Sequence, residues 1–145
     1  MTIIIFVLLL VSHFLGDIVF TSYRLAILKR DSGLIHQIVA IGGHSSVHAV
    51  CAGVLLFVFN LDWLKGALLV LALHFVIDFI RCRTEIRLYG PGRLFVKRSE
   101  LFAWISGKSG NPEKMTISKL WPWILIHVLD QGAHLASLYG IAVLI

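Results

Sequence analysis

The chain has 145 residues, of which 58% are hydrophobic and only 14% are charged, and its mean hydropathy is +0.88. A soluble domain of this size cannot bury so much apolar surface, so the composition predicts one integral membrane domain over residues 1–145. The formal net charge of +5 does not indicate a nucleic-acid partner, because the basic residues cluster between apolar runs and there serve orientation and lipid contact. The two cysteines, Cys51 and Cys82, offer no disulfide framework.

Four apolar segments are long enough to cross a bilayer as helices, which takes about 20 residues. In chain order they cover residues 1–20, 38–60, 63–81 and 120–143. The start of the second segment stays open, because Gly42 and Gly43 could end one helix and His44 could begin a shorter one. The pattern predicts an all-α fold in which four transmembrane helices form a bundle.

The basic residues predict the orientation of these helices. Of the 13 Lys and Arg residues, 12 lie in residues 21–37 and 81–119, and only Lys65 lies in the turn after the second segment. Because cytoplasmic loops carry an excess of Lys and Arg, we expect both basic loops inside and both termini outside. The long basic loop, residues 82–119, would then contact anionic headgroups.

Part of this long loop has its own helical pattern. Leu94, Leu101, Phe102 and Ile105 fall near one face of a helix over residues 94–105. This predicts either a short helix on the inner leaflet or an ordinary packed loop helix. Residues 106–114 have the composition of a linker.

Ionisable residues recur inside all four predicted spans, about one helical turn apart, which puts them on one helix face. They are His13 and Asp17, His44 and His48, His74 and Asp78, and His127, Asp130 and His134. The seventh histidine, His36, falls in a predicted loop. Each span therefore contains ionisable residues about one turn apart, a recurrence that is not expected by chance.

Four of these histidines lie at a similar predicted depth, six or seven residues from the cytoplasmic end of a span: His13, His44, His74 and His127. At 1.5 Å per helical residue this is about 10 Å. A buried, unpaired aspartate costs about 2.5–3.5 kcal/mol on insertion scales, so the three aspartates must be paired, protonated, hydrated or bound. Arg81 could pair with Asp78, whereas Asp130 has no cation near it in the sequence.

A divalent metal would satisfy these residues together. Imidazole and carboxylate are ligands of zinc, iron and manganese, and helical bundles hold such ions with ligands that project inward from facing helices. All nine residues of the four motifs are therefore candidate ligands, for one or two ions, with zinc ahead of iron and manganese. Asp78 or Asp130 would serve as the catalytic base. A hydrogen-bonded polar core without a ligand is the plainer alternative.

The four motifs resemble those of an uncharacterised family of small bacterial and phage membrane proteins that is described only as a domain of unknown function. Its pattern is His-Phe-Leu-x-Asp, His-x3-His, a His-Phe-x-Ile-Asp-like motif and Asp-Gln-x-x-His, which match His13–Asp17, His44–His48, His74–Asp78 and Asp130–His134. The match omits the loop over residues 82–118, and a Gln that often follows the first motif has no counterpart here. The resemblance implies a multi-pass protein of the bacterial inner membrane. A looser similarity connects the chain with inner-membrane metal-dependent hydrolases.

These observations lead to a hypothesis of a membrane metalloprotein that hydrolyses an ester or phosphoester of a lipid or lipid-linked molecule near the cytoplasmic leaflet. Three alternatives stay open: iron-dependent oxidation, transport of protons or metal ions, and a non-enzymatic protein whose metal or polar core is structural and which binds a partner. Oxidative sites of this kind usually contain adjacent histidines, which this chain lacks. The apolar outer halves of the spans argue against transport. The sequence leaves open whether the chain forms a homo-oligomer.

Overall fold

The computed structural model describes residues 1–108 and 117–145, and every regular element in this part of the chain is helical. The helices are α1 (Thr2–Phe14), α2 (Tyr23–Leu28), α3 (Leu34–Val58), α4 (Trp63–Tyr89), α5 (Arg98–Ile105) and α6 (Ile117–Leu144). A π-helical turn, Leu15–Val19, continues α1. The predicted all-α fold is confirmed.

Four of the helices form a bundle with an apolar end and a polar end. Helix α1 packs against α3 and α6, and α4 packs against the same two helices, so the four close a ring. The apolar end contains a buried cluster of Ile5, Leu9, Ala52, Leu56, Val70, Leu138, Ile141 and Ala142. These residues come from the start of α1 and α4 and from the end of α3 and α6, so the remaining interior lies at the opposite end of the bundle.

The outer surface of the bundle is apolar, the reverse of a soluble protein. Large side chains such as Ile3, Val39 and Leu129 are 77%, 67% and 63% exposed, while many ionisable side chains are buried. Within the described residues, three helical segments are long and apolar enough to cross a membrane: Thr2–Val19, Leu34–Val58 and Trp63–Tyr89. Helix α6 is of similar length, but His127, Asp130, Gln131 and His134 lower its hydropathy. Burial of polar groups inside an apolar shell is what a bilayer requires.

Two helix boundaries differ from the sequence-based prediction. Helix α3 begins at Leu34 and runs unbroken through Gly42 and Gly43, so His36 lies in its first turns rather than in a loop. Two helical glycines cost about 1 kcal/mol each, which the packing of α3 against α4 offsets.

Helix α4 continues two turns beyond residue 81 because nothing interrupts it before Gly90, whose φ of 87° suits glycine. At its start, Asp62 accepts a hydrogen bond from the backbone N–H of Lys65 at 3.3 Å, as expected for an N-cap.

The long loop contains the short helix α5 within the predicted range of 94–105. Phe102 and Ile105 on this helix are 67% and 65% exposed. The position of α5 on the inner leaflet stays a prediction. The linker predicted for residues 106–114 lies outside the described residues from residue 109 onward.

Candidate metal centre

The polar end of the bundle brings together eight of the nine predicted site residues. We call them the His/Asp cluster: His13 from α1, Asp17 from the π-helical turn, His44 and His48 from α3, His74 and Asp78 from α4, and Asp130 and His134 from α6. All are buried except Asp17, whose side chain is 34% exposed. Every helix of the ring therefore contributes to one interior site.

The π-helical turn brings α1 close to α3. Its i→i+5 hydrogen bond runs from the Phe20 N–H to the Leu15 carbonyl at 3.3 Å, and π-turns of this kind are frequent at functional sites. Gly16 lies in this turn directly against the imidazole of His48, so that a Cβ at this position would overlap the ring. The absence of a side chain at Gly16 is thus what lets His48 approach Asp17.

Three atoms of the cluster form a small triangle. The Oδ1 atom of Asp17 lies 3.2 Å from Nε2 of His44 and 3.4 Å from Nε2 of His48, and the two Nε2 atoms are 3.1 Å apart. Two ligands bound at about 2.0–2.1 Å by a tetrahedral ion lie about 3.3 Å from one another. The triangle has the dimensions of one face of such a tetrahedron.

His74 joins this triangle to a second set of ligands. Asp17, His44, His48 and His74 could hold an ion, and so could His74, Asp78 and His134, since the ligand atoms in each group lie within 4.8 Å of one another. The two groups overlap at His74. A divalent metal could therefore bind in this cluster. This confirms the prediction that the buried His and Asp residues form a possible site for a divalent metal.

The tautomer of His134 also fits a metal ligand. Its Nδ1 lies 2.9 Å from the backbone carbonyl of Asp130 and donates to it, which leaves a lone pair on Nε2. Neither Nε2 of His134 nor Nε2 of His74 has a hydrogen-bond partner among the described residues. A buried polar atom without a partner costs about 1–3 kcal/mol, and an ion would remove that cost.

Cations surround the two deeper aspartates. Lys29 Nζ donates to Asp78 Oδ2 at 2.6 Å, and Arg81 donates to Asp78 Oδ1 at 2.8 Å. Arg81 Nε also lies 3.4 Å from Asp130 Oδ1. Asp130 has no cation near it in the sequence, but in the fold Arg81 reaches it because α4 and α6 pack side by side.

Two buried ion pairs were absent from the sequence-based prediction. Lys29 and Arg30 follow α2 in a segment assigned to an aqueous loop, yet Lys29 binds Asp78 and Arg30 binds Glu85 inside the protein. Basic residues between two spans are expected in water by the positive-inside pattern, so no local signal distinguished these two. The partners are 49 and 55 residues away along the chain.

His127 is the predicted ligand that lies apart from the cluster. Its Nδ1 donates to the Trp123 carbonyl at 2.8 Å, and its Nε2 lies 3.8 Å from a carboxylate oxygen of Glu85. The histidine of α6 that meets the others is His134, whose ring centroid is 4.4 Å from that of His74 and 4.8 Å from that of His13. His127 therefore lies in different surroundings from His134. Metal binding by His127 stays a prediction.

A cavity of about 480 Å³ adjoins the cluster where Asp17 is exposed. Lys29, Arg30, Arg81 and His127 line it, together with residues of the long loop that include Leu94 and Lys97. A small molecule of moderate size can therefore come close to the polar interior.

No curated protein and no solved structure matches the chain. The family resemblance predicted from the four motifs is nevertheless confirmed. The model of the family described as "Protein of unknown function (DUF3307)" matches residues 5–145, so the chain belongs to that family.

Proposed function

We propose that the chain is an integral membrane metalloprotein that hydrolyses an ester or phosphoester of a lipid or lipid-linked molecule. Helix α6 is the fourth span in this proposal, since its 28 residues correspond to about 42 Å and it packs between α1 and α4. The basic loop faces the cytoplasm of a bacterial inner membrane, and both termini lie outside. Helix α5 lies on the inner leaflet with Phe102 and Ile105 toward the lipid.

The observation that carries the proposal is the triangle of Asp17, His44 and His48. Two histidines and one carboxylate form a ligand set of catalytic zinc sites. With His74 as a fourth ligand, water or substrate would take a fifth position, to which such sites can expand. Zinc is therefore the leading ion, and iron and manganese accept the same donors. The opening beside Asp17 supports access from the cavity.

We infer one ion per chain from the overlap of the two ligand groups. A neutral imidazole has a single lone pair on its ring nitrogens, so His74 can serve one group at a time. An ion in the group that contains Asp17 leaves Asp78 and His134 without their third ligand. Asp130 and His13 then border the site without completing a second one.

The reaction would add the elements of water across the ester bond. A bound divalent ion makes water acidic and polarises the bond under attack. Asp78 is our first choice as base, because its Oδ2 lies 3.8 Å from Nε2 of His44. The histidine beside Asp130, the other candidate, is His134, which lies outside the triangle. The water oxygen bonds to the carbonyl carbon or the phosphorus of the ester, and one proton of the water passes to the base. The leaving oxygen takes a proton as the ester bond breaks.

A non-enzymatic protein is the second candidate. Both oxygens of Asp78 already contact cations, so these ion pairs could stabilise a polar core that binds a partner with a structural ion or none. Transport has less support, because the apolar end of the bundle is filled by Ile5, Leu9 and Leu56 and offers no polar route.

Metal analysis separates these functions. Protein purified in detergent without chelator should contain one divalent ion per chain, lose it to EDTA and recover it with zinc. If the protein lacks stoichiometric zinc, iron or manganese, and each fails to bind on reconstitution, the metalloprotein proposal is wrong. Metal without release of product from any lipid ester would favour the structural role.

A further inference from the structure

Two chemically different sets of side chains line the cavity beside the His/Asp cluster. The basic set is Lys29, Arg30 and Arg81 at the bundle and Lys97 at the long loop. The other set, which we call the apolar lining, is apolar and aromatic and includes Leu94, Val96, Leu101, Tyr23 and Trp123. A ligand that fits both sets has an anionic head and a hydrocarbon portion.

Lys97 differs from the other three cations in its partners. Lys29, Arg30 and Arg81 each form an ion pair with a buried carboxylate. No carboxylate among the described residues forms an ion pair with Lys97, whose ammonium lies 5.9 Å from the centre of the Tyr23 ring. Among the cations that the structure describes at the cavity, Lys97 is therefore the one that can bind an incoming anion without breaking an existing pair.

The charge around the cavity predicts the charge of the ligand. Among the described residues, four cations (Lys29, Arg30, Arg81 and Lys97) line it, and four carboxylates (Asp17, Asp78, Glu85 and Asp130) pair with these cations or contact the histidines of the cluster. These charges cancel while the histidines are neutral. A bound divalent ion then leaves two positive charges uncompensated in a region of low dielectric, where a dianion is the complementary partner.

We propose that the substrate is a phosphate monoester carried on an apolar chain. This inference rests on the proposed metal-dependent hydrolysis and names its substrate class. Lys97 would bind the phosphate together with a metal held by the cluster, and the apolar chain would contact Leu94, Leu101 and Trp123. Hydrolysis joins the oxygen of water to phosphorus and breaks the bond from phosphorus to the ester oxygen. That oxygen takes a proton, so the products are inorganic phosphate and a lipid alcohol.

The experiment uses the full-length, metal-loaded protein in detergent, with its metal content measured in each preparation. Mixed micelles that contain phosphatidic acid provide the lipid phosphate monoester, and glycerol phosphate provides a soluble one. We expect release of phosphate from the lipid with a kcat/KM at least 10-fold higher than from the soluble ester. Inorganic phosphate should inhibit the release competitively.

The matched variants are Lys97→Ala and Lys108→Ala. Both remove an exposed lysine of the same loop, and only Lys97 lines the cavity. Lys97→Ala should lower kcat/KM by about 10–100-fold, the usual effect of losing a hydrogen bond to a charged group, with unchanged metal content, while Lys108→Ala should match the wild type.

Three results would overturn the substrate assignment. One is metal-loaded protein that neither hydrolyses nor binds phosphatidic acid, which would leave the metal site intact and remove only its substrate. Another is equal kcat/KM on the lipid and soluble esters, which would refute a role for the apolar lining. The third is an equal loss in both lysine variants, which would indicate general surface attraction. Protein without metal would instead refute the proposed function itself.

Discussion

Removal of His74 is the most direct test of the metal centre. His74 belongs to both ligand groups, so His74→Ala leaves an ion no complete alternative to move to. Loss of a group that only orients a ligand costs about 10–100-fold in metal affinity, and loss of a ligand costs at least as much. We therefore expect the affinity for zinc to fall about 100-fold or more.

The thermal consequence follows from mass action. With free metal at about 100 times Kd, binding stabilises the native protein by about 2.7 kcal/mol. A variant that binds 100-fold more weakly gains only about 0.4 kcal/mol at the same concentration. For a domain of this size, about 2–4 °C of Tm corresponds to 1 kcal/mol. Metal should raise the Tm of the wild type by about 5–10 °C and that of His74→Ala by about 1–2 °C.

The assay compares the Tm of each protein with zinc and with EDTA, so that the effect of the substitution on the metal-free fold cancels. His36→Ala is the matched control, because the His36 side chain is 75% exposed and lies outside the cluster. It should keep the full metal-dependent rise and the full metal content. If His74→Ala retains both as well, the metal-centre reasoning is refuted and the cluster is a polar core.

Three further predictions test the surroundings of the site. Gly16→Ala should displace the His48 ring and lower zinc affinity by at least 10-fold. Gly140→Ala is its control and should leave the affinity unchanged, because an added Cβ there meets nothing within 4 Å. Equal zinc affinities of the two variants would contradict the role of the π-helical turn. Asp78→Asn should lower the stability of the metal-free protein by about 3–5 kcal/mol, because Lys29 and Arg81 would keep buried charges without that carboxylate; a neutral effect in denaturant unfolding would refute it. A cysteine introduced at position 108 should react with membrane-impermeant reagents from the cytoplasmic side, and labelling from outside would reverse the proposed topology.

The sequence predicted the helices and most of the cluster because both depend on local patterns. Hydrophobic runs identify helices that cross a membrane, and residues four apart share a face, so the grouping of His44 with His48 follows from spacing alone. The rotation of each helix about its axis does not follow from spacing. For that reason depth alone selected His127, while the packing of α6 turns His134 inward and His127 toward Glu85.

The buried ion pairs of Lys29 and Arg30 could not be predicted from the sequence for a different reason. Arg81 lies one turn from Asp78 and could be paired with it by inspection, but Lys29 meets Asp78 only because the chain after α2, which packs against α3, enters the polar end of the bundle. A lysine between two apolar runs carries the same local signature whether its ammonium is in water or in a buried pair. Contacts between residues 49 positions apart require the tertiary structure.

The π-helical turn separates two functions of the first span, which are packing at the apolar end of the bundle and placement of Asp17 in the His/Asp cluster. Such a turn holds one residue more than an α-helical turn, which equals a rotation of about 100° around the helix axis. The turns before it present Ile5 and Leu9 to the apolar end of the bundle, and the turn itself carries Asp17 to His44 and His48. A deletion of one residue within Leu15–Val19 would give a regular helix that can satisfy one of these alignments at a time. The extra residue therefore allows the packing face of this span and the position of Asp17 to change separately.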